Sequence, residues 1–212
     1  MGGGARPAAP VGERRTSVTE PEGRPRRVTS IATRWGDGGE TNLLYGGRVA
    51  KDDPHAEACG AVDEAVSALG VARAQEGDRE RAERLLDLQR DLFTVGAELA
   101  TGLGERAHLE RHFATVTGAM VEGLDAQLAE LEERVPLPPG FVVPGGTVVA
   151  ASIDLARTLV RRAERRAVSL QRAGLLENGE VLRYLNRLSD LLFMLARDAE
   201  QGATILRHPA DG

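Results

Sequence analysis

Lysine is almost missing from this chain of 212 residues: Lys51 stands alone among 27 basic residues. Arginine cannot replace it wherever a compact point charge is wanted, so Lys51 is a candidate for a contact such as a phosphate oxygen. Aromatic residues are also scarce, at 3%. The core must then be built from Leu, Val and Ala, which suits interdigitating helices better than a β-sandwich. Cys59 is the single cysteine, which excludes an internal disulfide and a Cys-based zinc site. A buried structural thiol is its default reading. No apolar run approaches the ~20 residues that span a bilayer, so no membrane partner is expected. The net charge of -5 lacks the basic footprint of a general nucleic-acid binder. No Ser-His-Asp arrangement, carboxylate pair or activated thiol stands out. That absence fits a reaction in which another molecule brings the nucleophile.

What is present is 42% hydrophobic residues, enough for one sizeable core. Residues 1–30 are rich in Gly, Pro and Arg, have almost no large apolar side chains, and are expected to form a disordered tail. Their arginines hint at an organelle transit peptide, but Glu13, Glu20, Glu22 and the prolines oppose it, and no secretory apolar region is present. A cytoplasmic location is expected. A single domain is expected over 31–205, opening with a glycine-rich loop at 31–52, with a C-terminal tail at 206–212. Asp53 and Pro54 mark a helix start for a stripe of Ala58, Val62, Ala65, Leu69 and Ala72 reaching about residue 75. A second helix starts at Asp78 and carries Leu85, Leu88, Leu92, Val95 and Leu99. A third is expected over about 106–134, stopped by Pro136, Pro138 and Pro139. A fourth follows the 141–147 loop to about 173, and a fifth carries Val181, Leu185, Leu188, Leu192 and Leu195. The spacing predicts an all-α, five-helix up-and-down bundle.

Four groupings carry chemistry. In the fourth helix, Ile153, Ala156, Val160, Ala163, Ala167 and Leu170 form the core stripe. At about 100° per residue, Arg157, Arg161, Glu164 and Arg165 fall on one flank of it, and Arg162 and Arg166 on the other. Guanidinium groups crowded beside a seam call for an anion, and the flank reads as a polyphosphate clamp. Its bland counterpart is a solvated helix face. The Gly36, Gly38, Gly39 cluster with Asp37, Thr41 and Asn42 has the composition of a phosphate-cradling loop or of a plain surface turn. Asn186, Asp190, Phe193 and Arg197 share one face of the fifth helix, as ligand contacts or as a polar flank. Glu105-x-x-His108 with His112 is the one metal-like grouping. It has half the Glu-x-x-His segments of a di-metal bundle, so no direct metal ligation by the protein is expected.

Taken together the motifs become specific. Thr33-x-x-Gly36-Asp37-x-Gly39-x-Thr41 is followed by Lys51-Asp-Asp and Val62-Asp63-Glu64. Phe141-x-x-Pro144-Gly-Gly then precedes Ala156-Arg-Thr-x-x-Arg-Arg-Ala-Glu-Arg-Arg166, and Leu185-Asn-Arg-Leu-Ser-Asp-x-Leu-Phe193 closes the series. Over about residues 31–201 the chain resembles the PduO-type ATP:cob(I)alamin adenosyltransferases. The resemblance implies a ferritin-like bundle assembling as a homotrimer, with ATP bound between adjacent subunits. By position, Thr33, Arg34, Trp35, Gly36, Thr41, Asn42 and Lys51 match the family's triphosphate loop. Arg161, Arg162, Glu164 and Arg165 match its helical ATP-binding run, and Asn186 its nucleotide-contacting asparagine. Asp63 and Arg157 match a pair that bridges subunits at the active site. Phe141 matches the aromatic residue over the corrin's lower face.

The implied reaction transfers the 5′-deoxyadenosyl group of ATP to the cobalt of cob(I)alamin, giving adenosylcobalamin and triphosphate. Mg²⁺ would come with ATP, and cobalamin is the substrate. A flavin reductase that generates cob(I)alamin from cob(II)alamin and an adenosylcobalamin-dependent enzyme are the further partners implied. Arg34 and Trp35 stand where the family usually has Lys and Thr. The bulk of Trp35 motivates an alternative, a catalytically weak ATP- and cobalamin-binding carrier or regulator of the same fold.

Overall fold

The computed structural model describes Met1, Ala32, residues 34–200 and residues 202–206. The tail expected over 1–30 therefore lies, apart from Met1, outside the described residues, as does Thr33. Six helices follow a small hairpin among the described residues. The hairpin is β1 (Glu40–Asn42) and β2 (Arg48–Ala50), and the helices are α1 (Pro54–Gln75), α2 (Arg79–Leu99), α3 (Arg106–His112), α4 (Gly118–Arg134), α5 (Val148–Arg172) and α6 (Glu180–Asp198). The expected caps are in place. Asp53 accepts from the His55 amide with Pro54 in the first turn, and Asp78 accepts from the Arg81 amide; each satisfies an amide that the first turn leaves unpaired.

α1 packs between α2 and α5, and α6 between α5 and α4. Cross-helix ties fix their directions. Arg162 meets Glu64 and Arg166 meets Glu57, so α5 runs antiparallel to α1. Tyr184 reaches Asp91 while Arg81 reaches Asp198, so α6 runs antiparallel to α2. Arg187 meets Asp125 and Arg134 meets Asp198, so α4 and α6 are parallel neighbours. Direction thus alternates along the sequence through the five long helices, as expected for an up-and-down bundle. The core is aliphatic and alanine-rich; of the aromatic side chains, only Tyr184 is fully buried.

One expectation needs correction. The helix foreseen over 106–134 is two, α3 and α4, parted at Phe113–Thr117. The buried Glu98 carboxylate accepts from the Val116 amide at 2.6 Å and from Asn178 Nδ2 at 2.7 Å, while Asn178 Nδ2 also donates to the Val116 carbonyl at 2.9 Å. Both backbone groups that a continuous helix would bond internally are taken by side chains, so the helix stops. Thr117 then caps α4. Beside the helices, residues 40–42 and 48–50 of the glycine-rich loop form an antiparallel pair in register Glu40↔Ala50. Val142 bridges Ile205, the Val143 amide donates to the Thr204 carbonyl at 2.8 Å, and the Leu206 amide donates to the Phe141 carbonyl at 2.7 Å. Backbone groups of 141–143 thus find partners there.

Tyr184 Oη donates to Asp91 Oδ2 at 2.9 Å from inside the core. Burial pushes the Asp91 carboxyl above its usual range, the Asp87 charge adds to this, and the Tyr184 hydrogen bond opposes it. The folded chain therefore holds this proton more tightly than the unfolded chain. The associated stability is complete below the unfolded carboxylate range and is lost as pH rises through the folded value. Asp91→Asn keeps an acceptor for the hydroxyl and removes the buried charge. Its melting temperature at pH 7 should equal or exceed that of the parent, with the advantage shrinking on acidification, as measured by calorimetry at both pH values.

Candidate functional site

The glycine-rich segment begins with a turn at 34–37. Arg34 takes a left-handed conformation, with φ of 59°, and the Asp37 amide closes the turn on the Arg34 carbonyl at 3.3 Å. The Trp35 ring is 67% exposed, and its carbonyl is held by the Arg48 guanidinium at 2.8 Å. Trp35 thus projects from the turn and does not fill the loop. The Lys51 amide donates to the Gly39 carbonyl at 2.8 Å, folding the end of β2 over the turn. A Cβ on Gly36 would lie 3.1 Å from Lys51 Nζ, so the bare glycine lets the ammonium lie against the backbone. Thr41 and Asn42 are neighbours in β1 and point to opposite faces of the hairpin. Leu44 and Tyr45 dock the hairpin on the end of α2, through the Leu44 amide to the Ala100 carbonyl and the Gly102 amide to the Tyr45 carbonyl, each 2.8 Å.

α5 supplies two flanks with different surroundings. On one, Arg162 and Arg166 are neutralised by Glu64 and Glu57 of α1, at 3.1 and 3.2 Å. On the other, Glu164 accepts from Asn186 Nδ2 at 3.1 Å and Arg165 donates to the Arg161 carbonyl at 3.0 Å. Arg161 and Arg165 are exposed, not lodged beside the seam as their spacing suggested. Among the described residues neither they nor Lys51 has a carboxylate partner. One helix thus carries cations that are spent on its neighbour and cations that are left available.

Sequence reasoning missed what lies a turn before that flank. Asp154 is buried and receives two guanidinium groups, Arg197 at 2.6 Å and Arg157 Nε at 3.1 Å. Arg197 Nε also lies 2.5 Å from the buried Glu200. The Phe193 ring has Arg197 Cζ 5.0 Å and Arg157 Cζ 5.9 Å from its centroid, a cation–π geometry. The available signal was the i, i+3 spacing of Asp154 and Arg157 and of Arg197 and Glu200. Phe141 lies on the segment leading into α5 and is 84% exposed, although its carbonyl is anchored to Leu206. An anchored backbone carrying an exposed aromatic ring is not core packing. Asp190 stands 3.8 Å from Arg187, and the Glu105–His108 pair is an exposed 2.7 Å contact.

Asp63 is exposed on α1 and, among the described residues, has no ion-pair partner. It stands at the edge of an apolar groove of about 450 Å³ between α1 and α2, which Leu44, Phe93 and Phe113 also line. Arg157, by contrast, is held toward α6. No hydrogen bond or ion pair joins Asp63 to Arg157, or the segment 34–51 to Arg161 or Arg165, among the described residues.

The sequence profile described as cobalamin adenosyltransferase matches residues 31–199. The chain belongs to this family. A corrinoid adenosyltransferase of Citrobacter freundii is 40% identical over 171 residues, covering 80% of this chain and 94% of that protein. A longer corrinoid adenosyltransferase PduO of the same organism is 36% identical over 174 residues; the match covers 82% of this chain, which spans only 51% of that protein. Among solved structures, a variant PduO-type ATP:corrinoid adenosyltransferase from Lactobacillus reuteri complexed with cobalamin and ATP is similar, with a TM-score of 0.77 and 33% identity over 84% of this chain and 97% of that one. No helix among the described residues is long and apolar enough to cross a membrane.

Cys59 also lines the groove below Asp63. Burial, then the Asp63 charge, push its thiol up to about 12. At pH 8 its alkylation by iodoacetamide should run about three orders of magnitude slower than that of an exposed cysteine, which titrates near 8.5. Asp63→Asn should speed it modestly; a rate near that of free cysteine would contradict the burial.

Proposed function

We propose that this chain transfers the 5′-deoxyadenosyl group of ATP to the cobalt of cob(I)alamin, giving adenosylcobalamin and triphosphate. The observation that carries the reading is the divided charge of α5. Arg162 and Arg166 are neutralised within the protomer, whereas Arg161 and Arg165, like Lys51, lack a carboxylate partner among the described residues. Such cations suit the oxygens of a polyphosphate. In the reaction the electron pair of Co(I) attacks C5′ of ATP, the C5′–O bond breaks, and triphosphate leaves with the bonding pair. No proton need move, so the lack of a general base is no obstacle. The protein's task is to orient ATP and stabilise the charge that builds on the leaving group. The donor set is cationic, so it fits phosphate oxygens and not a metal ion. Mg²⁺ would be carried by the triphosphate itself, whose charge it helps to neutralise.

The site is completed between copies of the chain in a homotrimer. Asp63 and the 34–51 segment sit on the α1–α2 side of a protomer and Arg157, Arg161 and Arg165 on the α6 side. That separation supports one copy's loop meeting another's arginine flank, with Asp63 and Arg157 bridging the two. Asn186, tied to Glu164, is placed to contact the nucleotide beside the clamp. Arg162, already paired with Glu64, acts through the helix more than through phosphate. The Phe141 ring covers the lower face of the corrin and keeps water and the lower ligand from cobalt. A flavin reductase supplying the Co(I) state, an adenosylcobalamin-dependent enzyme receiving the product and a cytoplasmic setting complete the proposal.

Incubating the protein with ATP, Mg²⁺ and chemically reduced cobalamin tests it, because the Co–C product has its own visible spectrum. Binding of both ligands without that change would favour the carrier or regulator suggested by Trp35. Arg161→Ala and Arg165→Ala each remove a charge-assisted contact of about 1.5–3 kcal/mol and leave the helix intact. Their kcat/KM for ATP should fall about 10- to 150-fold, and near-normal kinetics in both would remove the clamp. Phe141→Ala should abolish most turnover from cob(II)alamin with a reductant while ATP affinity and melting temperature stay unchanged. A fall in thermal stability would instead make the ring a packing residue.

A further inference from the structure

We infer that the buried cluster Asp154, Arg197 and Glu200 is a positioning device that ties the arginine flank of α5 to the segment carrying Phe141. The inference rests on the adenosyltransferase reading for the meaning of those two ends. It goes beyond that reading in assigning residues that touch neither ATP nor corrin.

The side chains of Asp154 and Arg197 are each 3% exposed, and that of Glu200 is 1% exposed. With Arg157 they make two carboxylates and two guanidinium groups, a neutral set. Burying such a set is a poor route to stability, since apolar residues of similar volume often do as well or better. Its use lies in fixing geometry. Asp154 takes Nε of Arg157 at 3.1 Å, which orients the guanidinium, and its two terminal nitrogens have no hydrogen-bond partner among the described residues. The same carboxylate takes Arg197 at 2.6 Å, and both guanidinium groups lie over Phe193. Arg157 is thus set before any partner subunit arrives.

The other end of the cluster meets the loop. Arg197 Nε reaches Glu200 Oε1, and Glu200 Oε2 would lie 2.5 Å from a Cβ on Gly146. Neither Glu200 carboxylate oxygen has a geometrically sound hydrogen bond among the described residues; packing against Gly146 and the charge of Arg197 hold it. Gly146 lies between Phe141 and Thr147, and Thr147 both caps α5 and donates to the Ala199 carbonyl at 3.1 Å. A displacement of Gly146 is therefore passed to Glu200, Arg197, Asp154 and Arg157 in turn through these contacts.

Two double-mutant cycles on the full-length enzyme, read as kcat for Co–C bond formation, test this. Asp154→Asn should lower kcat about tenfold or more in the parent and by less than twofold in an Arg157→Ala background, because its effect passes through Arg157. Gly146→Ala has no backbone strain to contend with and acts only by pressing on Glu200. It should lower kcat at least fivefold in the parent and by less than twofold in the Arg157→Ala background. Sites without contact otherwise contribute independently, so equal losses in both backgrounds would overturn the inference. Melting temperatures are measured alongside, and turnover is compared below them. If Asp154→Asn does not fold, Arg197→Lys replaces it, since lysine keeps the charge but cannot fork between Asp154 and Glu200; parent-like turnover there also overturns the inference. A parent protein that forms no Co–C product would sink the adenosyltransferase reading instead, a distinct outcome seen before any variant is made.

Discussion

Alanine brings α1 and α5 together, and the rest of the molecule is arranged around that approach. Ala58, Ala61, Ala65, Ala68 and Ala72 on one helix and Ala156, Ala163 and Ala167 on the other are all buried, and this is the most extensive helix pairing in the bundle. Small side chains let two backbones lie close. The long side chains at the edges of the seam must then reach outward and across, as Arg162 and Arg166 do toward Glu64 and Glu57. A chain poor in aromatic residues can still make a dense core this way, because backbone proximity replaces side-chain bulk as the source of packing.

The same approach sorts the charge of α5. A helix wedged between two neighbours has two flanks, and each sees a different wall. The α1 wall offers carboxylates. The α6 wall offers Asn186 to Glu164 and Phe193 to Arg157, and none of its carboxylates pairs with Arg161 or Arg165 among the described residues. Among the described residues Arg161 and Arg165 thus have no carboxylate partner, and of the Arg157 guanidinium only Nε is engaged in a hydrogen bond.

Long helices with strong caps and regular stripes were legible in the sequence: α1, α2, α5 and α6 begin and end within a few residues of their expected limits. The break between α3 and α4 was not, because its cause is Asn178, far along the chain, meeting Glu98 over Val116. Local pattern carries no record of such a meeting. At the site, periodicity separated the two flanks of α5 correctly and misjudged their burial, since a residue beside a seam is exposed once no third helix covers it. The buried cluster escaped for a related reason. Asp154 and Arg197 sit on different helices, and only the packing of α5 on α6 makes them neighbours.

Glu98 has a consequence for how the chain comes to be folded. Its carboxylate oxygen is fully occupied only when Val116 and Asn178 have both arrived, the second of them 80 residues away. A nascent chain holding α1 to α4 would carry this acid with the Val116 amide and the more distant Arg106, 4.0 Å away, but without Asn178. The Asn178 contact can therefore form only after the α5–α6 turn has been made. Closing so long a loop is slow but costs entropy only logarithmically. In return, the end of α2, the start of α4 and the α5–α6 turn are joined through one buried carboxylate.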